Sequence, residues 1–415
     1  MREMKDSGIE WIGDIPVSWK IMPNKYLMRK EKKICPVYHG EDILSLTMKG
    51  VIVRDLDAGG KMPTSFDGYQ RLEAGNLLMC LFDIDVTPRC IGLIKQAGVS
   101  SPAYSQFVLR KGADAAYYCY YYTMLDNDKT LLHLAKNLRH SLTEDQLGAI
   151  PVIVPPIEEQ QRIADFLDTK CAEIDALTAD IQTQIDTLEQ YKRSVITETV
   201  TKGLNPDAEM KDSGIQWIGN MPAHWDVIRG KYILRYMQKP VREDDGVITC
   251  FRDGEVTLRS NRREDGFTMS DKEIGYQGID VGDLVVHGMD GFAGSIGISN
   301  SRGKASPVLN VLDTDQCKRY IMYYLRSMAY SDVFLALATG IRVRSCDLRW
   351  NKLAELSYPV PPLDEQNAIV KHIDSVLSKA DAVIADKKAQ LATLDEYKKS
   401  LIFEYVTGKK EVPAP

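Results

Sequence analysis

Arg252, Arg259, Arg262 and Arg263 crowd around two turn signals, Asp253-Gly254 and Asp265-Gly266. A guanidinium carries five N–H donors in a planar fork, so arginines held on turns could address phosphates or the acceptor edge of guanine. His287 opens the glycine-rich stretch Val286-His287-Gly288-Met289-Asp290-Gly291-Phe292-Ala293-Gly294, whose small residues could bring backbone close to a groove. Further on come Arg342, Arg344 and Arg349, and the first half offers Lys49, Arg54, Lys61 and Arg89, with Arg139 matching Arg342 or Arg344 across a short gap. For any single member of this set, a solvated charge or a surface ion pair is at least as common a role. The group carries the argument.

Catalytic constellations are not evident. The chain has no G-x-x-x-x-G-K-[ST] loop for nucleotide phosphates, and Gly291, Gly294 and Gly297 do not fit G-x-G-x-x-G. No N-P-P-[YF]-like tetrapeptide of an adenine methyltransferase occurs. Pro206-Asp207-Ala208-Glu209-Met210-Lys211 superficially matches a metal-dependent nuclease signature, but its carboxylates are compressed into one linker. The six histidines share no ligand spacing, and the eight cysteines contain no C-x-x-C pair, so neither a zinc cage nor a disulfide framework is indicated. No catalytic residue, metal site or cofactor is expected.

The elements that would position these side chains come in duplicate. Met4-Lys5-Asp6-Ser7-Gly8-Ile9, followed by Trp11-Ile12-Gly13, Pro16 and Trp19, returns 206 positions later as Met210-Lys211-Asp212-Ser213-Gly214-Ile215, Trp217-Ile218-Gly219, Pro222 and Trp225. Pro155-Pro156-Ile157-Glu158-Glu159-Gln160 returns as Pro361-Pro362-Leu363-Asp364-Glu365-Gln366 at the same shift, and Tyr191-Lys192-Arg193-Ser194 as Tyr397-Lys398-Lys399-Ser400. Between the anchors the halves differ.

After each proline pair a stretch free of Gly and Pro steps its apolar positions by four and three. The first stripe includes Leu167, Ile174, Ile181, Ile185, Leu188 and Val195, and the second Ile373, Leu377, Ile384, Leu391, Leu394 and Leu401. This spacing predicts two helices of about 45 residues, roughly 70 Å each, packed on one another. Lys192, Lys387 and Lys398 interrupt the stripes and disfavour a homodimeric zipper, so an antiparallel pair within the chain is expected. The unlike segments, about 20–150 and 226–355, mix β-rich runs such as Ile43–Thr47, Val247–Phe251 and Gly282–Val286 with helical stretches such as Met322–Leu325. Tyr117, Tyr118, Tyr120, Tyr121 and Tyr122 invite a base-stacking reading, but without interleaved Lys or Arg they read as core packing.

Charge distribution leaves room for a polyanionic partner despite the net −6. Residues 1–156 hold 19 Lys+Arg against 18 Asp+Glu and residues 229–350 hold 18 against 16, whereas residues 157–203 hold 5 against 10, so the acidity sits largely in the first predicted helix. No apolar run reaches the roughly 18 residues of a membrane span and the start lacks a secretory pattern, so the expected location is the cytoplasm.

The K-D-S-G-I-x-W-I-G-x-x-P-x-x-W opening and the P-P-[IL]-[ED]-E-Q lead into a long helix, both doubled, resemble the specificity subunit of type I restriction-modification enzymes. Ser101-Pro102-Ala103-Tyr104, Ser306-Pro307 and Thr339-Gly340-Ile341-Arg342 fit the same resemblance. It implies an α+β fold in which two α/β target-recognition domains are separated by two long helices packed as an antiparallel coiled coil, with a pseudo-two-fold internal repeat. The expected boundaries are 1–154 for the first recognition domain, 155–205 for the first helix, 206–360 for the second domain, 361–410 for the second helix and 411–415 for a tail. It further implies a non-catalytic subunit that binds double-stranded DNA, each domain reading one half of a bipartite site, with the cations named above as DNA-binding candidates. Two methyltransferase subunits and restriction/translocase subunits would be its partners, and S-adenosylmethionine, ATP and Mg would belong to them. Two alternatives are a coiled-coil protein–protein scaffold without sequence-specific DNA binding and a stand-alone methyltransferase or nuclease with unseen motifs.

Overall fold

The doubled opening folds as a small hairpin twice. Met4–Asp6 pairs antiparallel with Asp14–Pro16, and Met210–Asp212 with Asn220–Pro222. In each, the aspartate carboxylate accepts the N–H of the glycine two residues on, at 2.9 Å, and that glycine, Gly8 or Gly214, sits at φ 65° or 68°. A side chain there would be strained, which explains the D-S-G motif. The structure is a computed structural model and describes residues 2–57, 63–135, 140–262, 274–337 and 348–413. The chain divides into two units, Met1–Ile181 with Ala389–Pro415, and Gln182–Lys388.

In the first unit, β1 (Met28–Glu31), β2 (Leu77–Met79), β3 (Ile91–Leu93) and β4 (Ser105–Leu109) form an antiparallel sheet in the order β1-β4-β2-β3. Helix α1 (Ala115–Asn127) packs on it, started by Asp114, whose side chain accepts from Tyr117 N. The second unit repeats the plan with different residues. There, β5 (Leu234–Met237), β6 (Leu284–His287), β7 (Ile296–Ile298) and β8 (Leu309–Thr314) order as β5-β8-β6-β7, with helix α3 (Lys318–Tyr330) against them. A second strand pair closes each unit, Lys20–Pro23 with Pro151–Val154 and Asp226–Arg229 with Ser357–Val360. The expected mixed fold is borne out.

The two long helices are α2 (Ile157–Lys202, 46 residues) and α4 (Leu363–Val406, 44 residues). Within the first unit the ring of Phe166 lies 4.4 Å from that of Tyr405, and Lys398 Nζ is 2.5 Å from Asp175 Oδ1, so residue numbers rise along α2 as they fall along α4. Within the second unit, Lys387 bonds Gln184 and Lys192 Nζ lies 2.6 Å from Asp381, the same antiparallel sense. All three lysines that interrupt the apolar stripes therefore bond across the seam. Burial lowers the Lys192 pKa, but the hydrogen bonds it donates to Asp381 and Glu189 outweigh it and leave the ammonium more basic than usual. Leu167, Ile174, Ile181, Ile185, Ile373, Ile384 and Leu401 are buried, and Leu188, Val195, Leu377, Leu391 and Leu394 are half-buried.

The five tyrosines between positions 117 and 122 are structural. Tyr117, Tyr118, Tyr121 and Tyr122 are fully buried, with Tyr118 and Tyr121 hydroxyls donating to the carbonyls of Ile153 and Pro151 and Tyr122 to Asn24. Tyr117 donates to the Val406 carbonyl at 2.8 Å, near the C-terminal end of α4, and Tyr120 to Asp168 on α2 at 2.7 Å. The second unit copies both contacts, with Tyr320 donating to the Val200 carbonyl near the end of α2 and Tyr323 to Asp374 on α4. Each pair satisfies a carbonyl at a helix end that would otherwise lack a partner.

The last letter of P-P-[IL]-[ED]-E-Q ties the short helix to the long one. Gln160, 0% exposed, accepts the Asp114 N–H at 2.8 Å and donates to the carbonyls of Pro155 and Gly112. Gln366, also 0% exposed, accepts the Cys317 N–H at 2.9 Å and donates to the Pro361 carbonyl and the Gln316 side chain. Asp114 and Cys317 are the residues just before α1 and α3. Replacing either glutamine by leucine strands buried polar groups, so Gln160→Leu and Gln366→Leu should each cost about 1–3 kcal/mol. Urea denaturation of the full-length chain measures it, and a loss under about 0.5 kcal/mol would refute the clamp.

Candidate nucleic-acid interface

In the second unit a short hairpin, Ile248–Cys250 with Val256–Leu258, stands beside the core sheet. Between it and the loop after β6 lies a concave site of about 790 Å³ whose lining includes Arg252, Asp253, Arg259, Arg262, His287 and Asp290. Four of the cationic or titratable residues singled out from sequence thus converge from separate segments. Arg349 lies beside the same loop: its Cγ is 3.9 Å from where a Cβ on Gly288 would stand, and the preceding Leu348 N–H donates to the Gly288 carbonyl.

The arginines are held rather than loose. Arg262 makes a forked contact with Asp253, Nη1 to Oδ1 at 3.0 Å and Nη2 to Oδ2 at 2.5 Å, reaches Glu255 at 3.3 Å, and stacks 4.3 Å above the ring of Phe251. Arg252 donates to Asp290 at 3.1 Å, and Arg259 to the hydroxyl of Thr249 at 3.4 Å. The Arg252-Asp253-Gly254 turn is seated by glycines. A Cβ on Gly294 would come within 2.7 Å of the Arg252 carbonyl, and one on Gly254 would collide with the Arg326 guanidinium. So the loop glycines serve close packing within the unit itself. Gly291 likewise leaves room for Leu348.

His287 fixes the loop that carries Asp290. Its Nδ1 accepts the backbone N–H groups of Met289 at 3.2 Å and Asp290 at 2.9 Å, a role only the neutral ring can fill. Burial lowers its pKa, partly opposed by Asp290 and assisted by Arg252.

The matching place in the first unit is different in chemistry. The hairpin Leu44–Thr47 with Gly50–Val53 and the loop after β2 frame a smaller concavity of about 460 Å³, lined by Leu46, Phe82, Val86, Pro88 and Tyr104 among others. Its one cation, Arg89, is spent on Asp126 and Asn127 at 3.3 and 3.0 Å, and Asp126 is itself buried and bonded to Lys129 and Cys90 N. Lys49 is exposed on the hairpin turn, and Arg54 follows it, with its N–H on the Ile43 carbonyl. Lys61, Arg139, Arg263, Arg342 and Arg344, and the Thr339–Arg342 motif, lie outside the described residues. Asp253, Glu255 and Asp290, which set the charge balance of the second-unit site, were not singled out from the sequence. Their adjacency to turn glycines and to Arg252 was the available signal.

Because the neutral imidazole is the form the fold requires, the His287 contribution to stability is full above the unfolded value near 6.5 and is lost as pH falls through the lowered folded value. Denaturation midpoints from pH 7.5 to 5 should show this loss, and His287→Ala should flatten that part of the profile. An unchanged profile in the variant would overturn the assignment.

Among the described residues no cluster of His, Cys, Asp and Glu is arranged to hold a metal ion, and no helix is long and apolar enough to cross a membrane. Residues 89–187 match the family described as type I restriction modification DNA specificity domain. The chain is 25% identical over 286 residues to a putative type I restriction enzyme MjaX specificity subunit of Methanocaldococcus jannaschii, covering 66% of this chain and 62% of that protein. It is 24% identical over 280 residues to the type I restriction enzyme MjaVIII specificity subunit of the same organism, covering 63% of each. The match thus spans just under two thirds of these relatives' length. A chain from a solved structure concerned with complex assembly and conformational transition of the type I R-M system aligns over 95% of this chain and 99% of that one, with a TM-score of 0.67 at 14% identity, which establishes a shared fold. The resemblance carried by the doubled anchors is borne out: residues 89–187 match the type I restriction modification DNA specificity domain, and the chain is similar to type I restriction enzyme specificity subunits over about two thirds of its length.

Proposed function

We propose that this chain is the sequence-specific DNA-binding subunit of a type I restriction-modification complex. Each unit's recognition domain reads one half of a bipartite site in double-stranded DNA, and α2 and α4 set the gap between the halves and dock two methyltransferase subunits. The chain is non-catalytic in this reading. Methylation, translocation and cleavage, with S-adenosylmethionine, ATP and Mg, belong to the modification and restriction subunits, and the complex works in the cytoplasm.

One observation supports this most strongly. The same frame of hairpin, glutamine clamp, tyrosine contacts and long helix is built twice from nearly identical residues, while the concave sites it carries differ, rich in paired arginines and carboxylates in the second unit and largely apolar in the first. A conserved support bearing unlike surfaces is what reading two dissimilar half-sites requires, because base edges are distinguished by different donors, acceptors and methyl groups.

Sequencing of methylated sites in cells carrying the chain with its partner subunits tests the proposal. Exchanging residues 20–150 for the corresponding segment of a different specificity protein should change one half of the methylated sequence and leave the other intact; a change in both halves, or in neither, would refute it. Removing four residues from both α2 and α4 takes out about one helical turn, about 5.4 Å, and should shift the gap by one or two base pairs at about 3.4 Å each. An unchanged gap would defeat the role of the helices as a ruler.

A further inference from the structure

The second-unit site is nearly neutral although it is rich in arginine. Arg262 is matched by Asp253 and Glu255, and Arg252 by Asp290, at ion-pair distances of 2.5 to 3.3 Å. A phosphate approaching either guanidinium would meet those carboxylates at nearly the same distance, so the pairing works against backbone contact. A neutral partner that offers acceptors and a donor side by side meets no such penalty.

Arg252 and Asp290 have the free valences to receive one. The Arg252 side chain is 62% exposed and spends one of its five N–H groups on Asp290 Oδ1. Among the described residues, Asp290 Oδ2 accepts nothing, while its backbone is fixed by its N–H on His287 and by its carbonyl, which accepts from Ala293 and Ser295. The pair is therefore a preorganised combination of donors and one acceptor, with Nη2 and Oδ1 3.1 Å apart. In the major groove a G·C pair presents guanine N7 and O6 as acceptors and the cytosine N4 amino group as donor, and O6 and N4 stand about 2.9 Å apart across their own hydrogen bond. The two patterns are complementary.

We propose that Arg252 and Asp290 together read one G·C base pair in the major groove, the guanidinium donating to guanine N7 and O6 while Asp290 Oδ2 accepts from cytosine N4. This rests on the DNA-reading function proposed above. His287 then acts as a positioning residue, holding Asp290 through two backbone N–H groups. An A·T pair at that position would set its adenine N6 amino group against the guanidinium, and a C·G pair would reverse the order of donors and acceptors.

The test uses the chain assembled with its methyltransferase subunits and duplexes of the sequence found by methylome analysis. Replacing the guanines of the second unit's half-site by 7-deazaguanine one at a time removes N7 alone. At one guanine this should weaken binding by the wild-type complex about tenfold, and by Arg252→Ala not at all beyond its own loss. Asp290→Asn should relax discrimination at that same base pair. Neither variant should alter affinity for a scrambled duplex or its salt dependence.

If Arg252→Ala instead weakens specific and scrambled duplexes alike and makes the salt dependence shallower by about one ion, Arg252 contacts a phosphate and the proposal is wrong. It is equally wrong if no guanine is sensitive to loss of N7, or if the two variants relax different base pairs. The 7-deazaguanine series on the wild-type complex needs no substitution, so a variant that fails to fold cannot rescue the idea. A wild-type complex that binds specific and scrambled duplexes equally would remove the DNA-reading function itself, and this base-pair assignment with it.

Discussion

A buried primary amide cannot be left with open valences, and the structure of each unit follows from satisfying one. Gln160 and Gln366 sit at 0% exposure at the head of the long helices, and each has its carbonyl oxygen on the N–H that starts a short helix and its amide nitrogen on the carbonyl of a preceding proline. These bonds tie the start of α1 to the head of α2, and the start of α3 to the head of α4. An aliphatic side chain of the same size would allow many near-equivalent packings, whereas the amide selects a single one and penalises the rest. The core sheets are packed against α1 and α3, and the hairpins beside those sheets carry most of the candidate DNA-facing residues.

The same logic governs the long helices. Apolar stripes favour helix pairing but specify register weakly, since a slip of seven residues would bury a similar set. Lys192, Lys387 and Lys398 add polar contacts across the seam, to Asp381, Gln184 and Asp175. Exposed ion pairs of this kind add little stability. Tyr117 and Tyr320 act alongside them by occupying the carbonyls of Val406 and Val200 near the helix ends.

Against this repeated frame, the divergence of the two concave sites has a clear chemical sense. In the second unit the cations are neutralised by neighbouring carboxylates, which suits base edges more than phosphates. In the first unit the cation nearest the site, Arg89, is part of the support, its guanidinium bound to the buried Asp126, and the surface beside it is aliphatic and aromatic. Such a surface suits contact with methyl groups and base faces. Guanidinium forks and apolar surface discriminate different bases, so under the proposed function one scaffold would recognise an asymmetric sequence.

Much of this was legible in the linear chain. A constant shift of 206 between long identical phrases establishes an internal repeat whatever the fold, and a seven-residue stripe free of Gly and Pro for more than forty residues can only be a long helix seeking a partner. The tyrosine run was readable as core because no basic residue interrupts it. The repetition of E-E-Q marked Gln160 and Gln366 as special without revealing their task, since their partners Asp114 and Cys317 lie 46 and 49 residues upstream. The charge balance of the second-unit site was likewise invisible: Arg252 and Asp290 are 38 residues apart, and they meet only because the hairpin is seated beside the core sheet, through isolated bridges of Val247 to Lys304 and Val256 to Ser299. Sequence by itself determined the repeat, the helices and the faces they bury, because those depend on periodicity within a few turns. The tertiary structure alone decided which arginines converge and which carboxylates neutralise them, because that depends on sheet register between distant segments, which no local pattern encodes.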